Sequence, residues 1–146
     1  MLGIRHGYYT EDAIIAWEID SIIDYSQGIY SKLSNFASVS MSESVNDTVA
    51  KAFLYEWKKF GKTINQRLVK HDKKFIAGTD NITIADFACG ALFYQFTNNK
   101  SSIFPPLVQV MMSNIVNSYP HLKRWIYASL LPEFRVHLDS RQEFSY

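Results

Sequence analysis

Residues 82–87 read ITIADF, and this hexapeptide indicates how the central helix of the chain begins. Thr83 suits the N-cap position, where a side-chain oxygen satisfies a free backbone N–H of the first turn. Asp86, three residues on, can accept a hydrogen bond from the Thr83 N–H, which makes a capping box with Asp in place of the usual Glu. Ile82 before the cap and Phe87 at the fourth helical position are the pair typical of a hydrophobic staple. The stretch therefore predicts a helix that begins at residue 84 with an ionised Asp86 in its first turn.

The helix predicted from Ile84 to about Phe96 is apolar on nearly every side, which is typical of the central helix of a bundle. It contains Cys89, the one cysteine of the chain. A nucleophilic cysteine needs positive charge and access nearby. The apolar surroundings instead predict an inert core thiol.

A long helix is predicted before it, with Thr10 as N-cap, acidic residues at 11 and 12 in the first turn, and an end near Ser34. Apolar residues three, four or seven apart mark one buried stripe: Ile15, Ile19, Ile22, Ile29 and Leu33. A second flank is mixed apolar and polar, as expected of a face that meets a ligand or another subunit: Ala13, Ala16, Asp20, Ile23, Gln27 and Tyr30.

The polar stretch 34–47 reads as a connection to a second long helix over about 45–70. The apolar stripe of this helix is Val49, Phe53, Trp57, Phe60, Ile64 and Leu68. Seven bases between Lys58 and Lys74 face one acid, Asp72, which favours a solvated surface but leaves room for an anionic partner. Gly61 inside the helix predicts close packing of another element, because glycine otherwise costs about 1 kcal/mol there.

Prolines mark the later helices. Pro105 and Pro106 open a helix to about Asn117, and Pro120 opens another that Pro132 is expected to end. The core side of that last helix is predicted to be Leu122, Trp125 and Ile126, followed by a tail that folds back with Phe134, Val136 and Leu138. Strand signals are scarce, so the chain is predicted to be all-α, a bundle of about five helices in a single domain over 1–146.

Composition narrows the function classes. The 146 residues are 47% hydrophobic with a net charge of +1, so a globular core is expected and a nucleic-acid partner is unlikely. No run is long enough to span a membrane, and a single cysteine forms no internal disulfide, which favours the cytoplasm, with an organelle left open. The four histidines lack ligand spacing, so no metal site is predicted, and no glycine-rich nucleotide loop is present.

Two segments carry a resemblance. FIAG at 75–78 followed by ITIADF resembles the F-L-A-G and L-T-x-A-D segment of cytosolic glutathione S-transferases. YPHLKRW at 119–125 resembles their Y-P-x-L-x-x-W segment, and Tyr8-Tyr9 and the helix through Trp17, Asp20 and Asp24 also fit. The resemblance covers about 8–140 and implies the all-α C-terminal domain of that family. Residues 1–7 resemble the tail of its thioredoxin-like N-terminal domain, the rest of which is absent from this sequence.

The resemblance implies roles for two side chains. Asp20 matches the aspartate that reaches across the dimer interface to the amine of glutathione, and the alternative is a plain surface or interface acid. Tyr30 matches a tyrosine that lines the electrophile pocket, and the alternative is simple packing. The family's thiol-activating residues lie in the thioredoxin-like half, so no catalytic residue is expected here and the isolated chain is predicted to be inactive.

Three hypotheses follow. The chain is a glutathione transferase-like helical domain that supplies a hydrophobic pocket when a thioredoxin-like half is present, with glutathione as cosubstrate and no tightly bound cofactor. Alternatively, it is a non-catalytic interaction module or accessory subunit that meets a protein partner, or a second copy, through its first two helices. The third hypothesis is that the sequence is a piece of a longer transferase.

Overall fold

The structure is a computed structural model, and it describes residues 2–40, 47–99 and 106–134. These residues form helices and short connections with no strand among them, so the all-α prediction is confirmed. The helices are α1 (Leu2–Arg5), α2 (Ala13–Ser40), α3 (Asp47–His71), α4 (Ile84–Thr97), α5 (Pro106–Asn117) and α6 (Pro120–Arg124). From α6 the chain continues as a π-helical turn, Trp125–Leu130, here called the π segment, and stays helical through residue 134.

The core lies around α4, which packs against α2, α5 and the π segment. Aromatic rings fill its centre: Phe60 stacks on Phe93 with ring centroids 5.1 Å apart, and Trp57 meets Phe93 edge-on at 5.0 Å. The indole Nε1 of Trp57 donates to the carbonyl of Met112 at 3.2 Å, which satisfies its polar atom and joins α3 to α5. All four side chains are almost fully buried.

Helix α2 keeps its predicted buried stripe but not its predicted ends. Asp12, not Thr10, caps it, because Asp12 Oδ1 accepts from the N–H groups of Ile14 and Ile15 at 2.9 and 3.1 Å. The helix also continues six residues beyond Ser34. Phe36 lies in that extension, buried and stacked on Phe53 of α3 at 4.3 Å, so tertiary packing extends the helix through a polar stretch that weakly favours one.

Helix α3 buries the predicted stripe from Phe53 to Leu68, while the side chain of Val49 lies outside the described residues. At Gly61 a Cβ would lie 3.3 Å from the Tyr119 ring and 3.5 Å from Leu122. The close packing expected from this glycine is therefore present, and its partner is the turn into α6.

The last helix buries Leu122, Trp125 and Ile126 as predicted, but Pro132 does not end it. A proline ring in an ordinary α-helix clashes with the carbonyl four residues back. The wider π segment directly before Pro132 relieves that clash. Phe134 lies in the helical continuation, 5.1 Å from the Phe87 ring, whereas Val136 and Leu138 lie outside the described residues.

Asn65 of α3 caps α6 from another helix. Its Oδ1 accepts from the backbone N–H groups of His121 and Leu122, each at 3.1 Å. The N-cap residue of α6, Tyr119, makes no side-chain cap bond itself. Asn65 therefore supplies across the bundle the acceptor that an N-cap side chain normally supplies locally.

Replacing Asn65 by alanine should lower the free energy of unfolding by about 1–2 kcal/mol, because two helix-terminal donors lose their acceptor. Asn65→Asp should retain wild-type stability, since a carboxylate accepts the same bonds and suits a helix N-terminus. Urea unfolding followed by circular dichroism measures both, with the exposed neighbour in Gln66→Ala as control. Equal stability of the Asn65→Ala and Gln66→Ala variants would contradict this role.

Within the described residues, no helix is both long and apolar enough to cross a bilayer.

Candidate functional site

The carboxylate of Asp20 lies exposed on the outer side of α2. The Tyr9 hydroxyl donates to Asp20 Oδ2 at 2.8 Å, which ties the segment before α2 to its surface and restrains the carboxylate. The same hydrogen bond, aided by partial desolvation and by the charge of Asp20, raises the pKa of Tyr9. Tyr9 was part of the resemblance, but nothing in the sequence indicated that it would contact Asp20, eleven residues on.

The second flank of α2 named above, from Ala13 to Tyr30, is solvent-facing at both ends in the structure, and we call it the α2 outer flank. Tyr30 is 50% exposed. Beside the flank, Trp17 is 63% exposed and Ile14 is 77% exposed, whereas the opposite stripe of the helix is buried. Trp17 lies three residues from Asp20, whereas Tyr30 lies ten residues from Asp20, about 15 Å along the helix axis. The flank therefore presents an indole beside a carboxylate at one end and a phenol towards the other end.

Asp86 is the most highly bonded side chain of the described core. Its Oδ2 accepts from the Thr83 N–H at 2.9 Å and from the Thr83 hydroxyl at 2.8 Å, within the capping box. Its Oδ1 accepts from the Ile76 N–H and from the indole Nε1 of Trp125, each at 3.0 Å. Burial raises the pKa of Asp86, although the four donors oppose that shift. The residue thus joins the turn before α4 to the π segment.

The two residues of the expected staple pack into different surroundings. Ile82 is partly buried against the core. The Phe87 ring meets Tyr8 edge-on at 5.3 Å and Phe134 at 5.1 Å, so it joins α4 to both the N-terminal turn and the end of the last helix. These two ring contacts connect segments that are far apart in sequence.

The basic stretch of α3 is partly neutralised by Glu18 of α2, which the sequence did not indicate. Glu18 is buried and accepts from Arg67 at 2.7 Å and Lys70 at 2.8 Å, with His71 Nε2 3.6 Å away. Burial opposes the ionisation of Glu18, but the hydrogen bond from Lys70 and the charges of Lys70, Arg67 and His71 outweigh it and lower the pKa of Glu18. This buried pairing holds α2 against α3.

The one thiol of the chain offers no accessible nucleophile. Cys89 is fully buried in α4, and burial raises its pKa well above the ordinary range. Among the described residues, no three side chains of His, Cys, Asp or Glu come together as a metal-binding group. What the chain presents to solvent at the α2 outer flank is therefore a carboxylate and aromatic surface.

Comparison of the chain with protein-family models, with curated proteins and with solved structures finds no match.

Proposed function

We propose that this chain acts as a glutathione transferase-like helical domain, with the α2 outer flank as one wall of a ligand site. A thioredoxin-like domain, on the same polypeptide or another, would supply the glutathione thiolate. Asp20 would face the cationic amine of glutathione, and Tyr30 would line the pocket of the electrophile. Glutathione is then a cosubstrate of the assembled protein.

The observation that carries this proposal is the composition of the α2 outer flank. It holds the restrained carboxylate of Asp20, with Trp17 beside it, and exposed Tyr30 about 15 Å further along the same helix. A carboxylate suits a primary amine through a charge-assisted hydrogen bond, and an aromatic surface suits an apolar electrophile. Because the one cysteine of the chain, Cys89, is fully buried, the proposal takes the thiolate from glutathione.

In this proposal Asp20 and Tyr30 position the two reactants and do not react themselves. The glutathione sulfur forms a bond to an electrophilic carbon, and the leaving group departs with the electron pair of its own bond. Holding both reactants close together lowers the barrier without any nucleophile from the helices. A phenol such as Tyr30 can also donate a hydrogen bond to the anion that develops.

The test is a fusion that places the thioredoxin-like domain of a glutathione transferase before residue 1. The isolated chain should show no conjugation of a chlorodinitrobenzene-type electrophile above the uncatalysed rate, whereas the fusion should. In the fusion, Asp20→Asn should raise the KM for glutathione about tenfold, or ~1.4 kcal/mol, because a charge-assisted bond is lost. Asp24→Asn, an exposed acid four residues on, is the matched control and should leave KM unchanged.

Two results with the fusion would overturn the proposal. One is a fusion that binds glutathione no better than the thioredoxin-like domain alone. The other is equal KM values for the Asp20 and Asp24 variants. Conjugation by the isolated chain would also contradict it, since no thiol-activating group has been placed among these residues.

The second candidate is a non-catalytic interaction module that meets a protein partner through the same helix. The exposed Ile14 and Trp17 favour it, because large apolar side chains on one helix mark contact surfaces. Under this alternative, Trp17→Ala should abolish capture of a stoichiometric partner, while Asp20→Asn should have little effect. A chain that stays monomeric and captures nothing at high concentration would count against it.

A further inference from the structure

A groove opens at the end of the bundle where α3 ends and the last helix begins, and no residue of the α2 outer flank lines it. Its volume is about 330 Å³, at the lower end of the range for small-molecule sites. Three segments form it: the end of α3, the turn over 72–74, and the run from α6 into the π segment. The lining residues are Leu68, Asp72, Lys73, Lys74, His121, Arg124, Trp125, Ala128 and Ser129.

The groove is predominantly cationic. Lys73, Lys74 and Arg124 line it with a single acid, Asp72. Lys73 pairs with Asp80 at 2.9 Å and Lys74 with Glu133 at 3.3 Å, in exposed ion pairs of the kind that contribute little to stability. Arg124 is exposed and makes no ion pair within the described residues. An anion in the groove would therefore meet the unpaired guanidinium of Arg124, and it would compete with Asp80 and Glu133 for the ammonium groups of Lys73 and Lys74.

Two further polar side chains line the groove, His121 and Ser129. His121 Nδ1 is buried without a hydrogen bond in the described part of the chain, while the ring itself lines the groove and is partly exposed. Ser129 contributes a hydroxyl from the π segment.

The wall of the groove is held in place from the core. Trp125 lines it while its indole Nε1 bonds to the buried Asp86 at 3.0 Å. The π segment supplies Trp125, Ala128 and Ser129, and single π turns inside α-helices occur frequently at functional sites. The backbone N–H groups at the start of α6 already bond to Asn65, so the donors available to a ligand are side chains.

We propose that this groove binds a small phosphate monoester. Arg124 offers the planar fork of donors that matches phosphate oxygens, and Lys73 and Lys74 act as compact charges. Carboxylates lie among these cations, at Asp72, Asp80 and Glu133. They would repel an extended polyanion, so a ligand with a single phosphate is favoured. The size of the groove suits one phosphate with a few carbon atoms attached.

The test is titration of the ¹⁵N-labelled full chain with glycerol 3-phosphate and, separately, with inorganic phosphate at low salt. Glycerol 3-phosphate should bind with a Kd below about 1 mM and shift the amides of residues 121–129. Inorganic phosphate should bind more weakly at the same amides, because it lacks the organic part. Arg124→Gln should weaken binding at least tenfold, whereas Lys123→Gln, an exposed cation beside it that does not line the groove, should not.

The proposal fails if neither probe shifts these amides at 10 mM, or if the two variants lose affinity equally, since that would indicate diffuse surface charge. Tighter binding of inorganic phosphate than of glycerol 3-phosphate would also overturn it, because the site would then hold the free ion. The assay involves neither glutathione nor the α2 outer flank, so its outcome is independent of the function proposed above.

Discussion

Replacing Asp86 by alanine should lower the free energy of unfolding by about 4 kcal/mol or more. Three buried N–H donors, those of Ile76, Thr83 and Trp125, would lose their acceptor together. Each buried donor left without a partner costs about 1–3 kcal/mol, so the loss is a large part of the stability of a domain of this size. Urea unfolding monitored by tryptophan fluorescence and circular dichroism provides the measurement.

Less drastic replacements separate the contributions of the individual hydrogen bonds to Asp86. Thr83→Ala removes the hydroxyl but keeps the backbone N–H, and should cost about 1 kcal/mol. Asp86→Asn keeps one acceptor but turns an amide N–H₂ towards donors, so its cost should lie between those of the two alanine variants. If Asp86→Ala costs no more than Thr83→Ala, Asp86 only caps α4, and its hydrogen bond to Trp125 adds nothing to the free energy of unfolding.

The pH dependence of the same residue has a defined sign. Because burial raises the pKa of folded Asp86 above its ordinary value of 3.8, the folded protein binds this proton more tightly than the unfolded chain. Its stabilising term is complete below the ordinary pKa and is lost as pH rises through the raised pKa. The stability difference between wild type and Asp86→Asn should therefore narrow as pH rises above the ordinary pKa of 3.8. A difference that widens would mean that the four donors outweigh burial.

The start of α4 was predictable because its signals are local. Thr83 and Asp86 lie three residues apart, and the bonds they make to each other follow from helix geometry alone. The other two partners of Asp86 could not be predicted. Ile76 and Trp125 lie 10 and 39 residues away, so only the folded chain brings them to the carboxylate.

Two differences from the sequence prediction have the same long-range origin. The extension of α2 beyond Ser34 depends on the stacking of Phe36 on Phe53 of α3. Helix propensity is a local property and cannot predict that contact. Likewise the basic face of α3 appeared uniform in sequence, whereas Glu18 from α2 binds Arg67 and Lys70 within it. The flank bearing Asp20 and Tyr30 was predictable as a periodic feature, but what it binds is determined by chemistry outside the helix.

Gly90→Ala should lower the free energy of unfolding by about 2–3 kcal/mol, even though alanine is the better helix former. A Cβ on Gly90 would clash with Leu130 Cδ2 and would lie 3.1 Å from both Cδ1 and Cγ of the same side chain. Leu130 is itself almost fully buried, so it has little room to move away. Overpacking of this kind exceeds the gain of about 1 kcal/mol that alanine brings to a helix interior.

A double-mutant cycle with Leu130 tests whether this contact is the cause. Leu130→Ala alone should cost about 2–5 kcal/mol, because it leaves a cavity beside Gly90. In the double variant the new methyl group at residue 90 occupies part of that cavity and no longer meets a leucine. The double variant should then be more stable than the sum of the single losses predicts by at least about 1 kcal/mol, as measured by urea unfolding. Additive losses would mean that close packing of Leu130 on Gly90 is not the cause of the loss in Gly90→Ala.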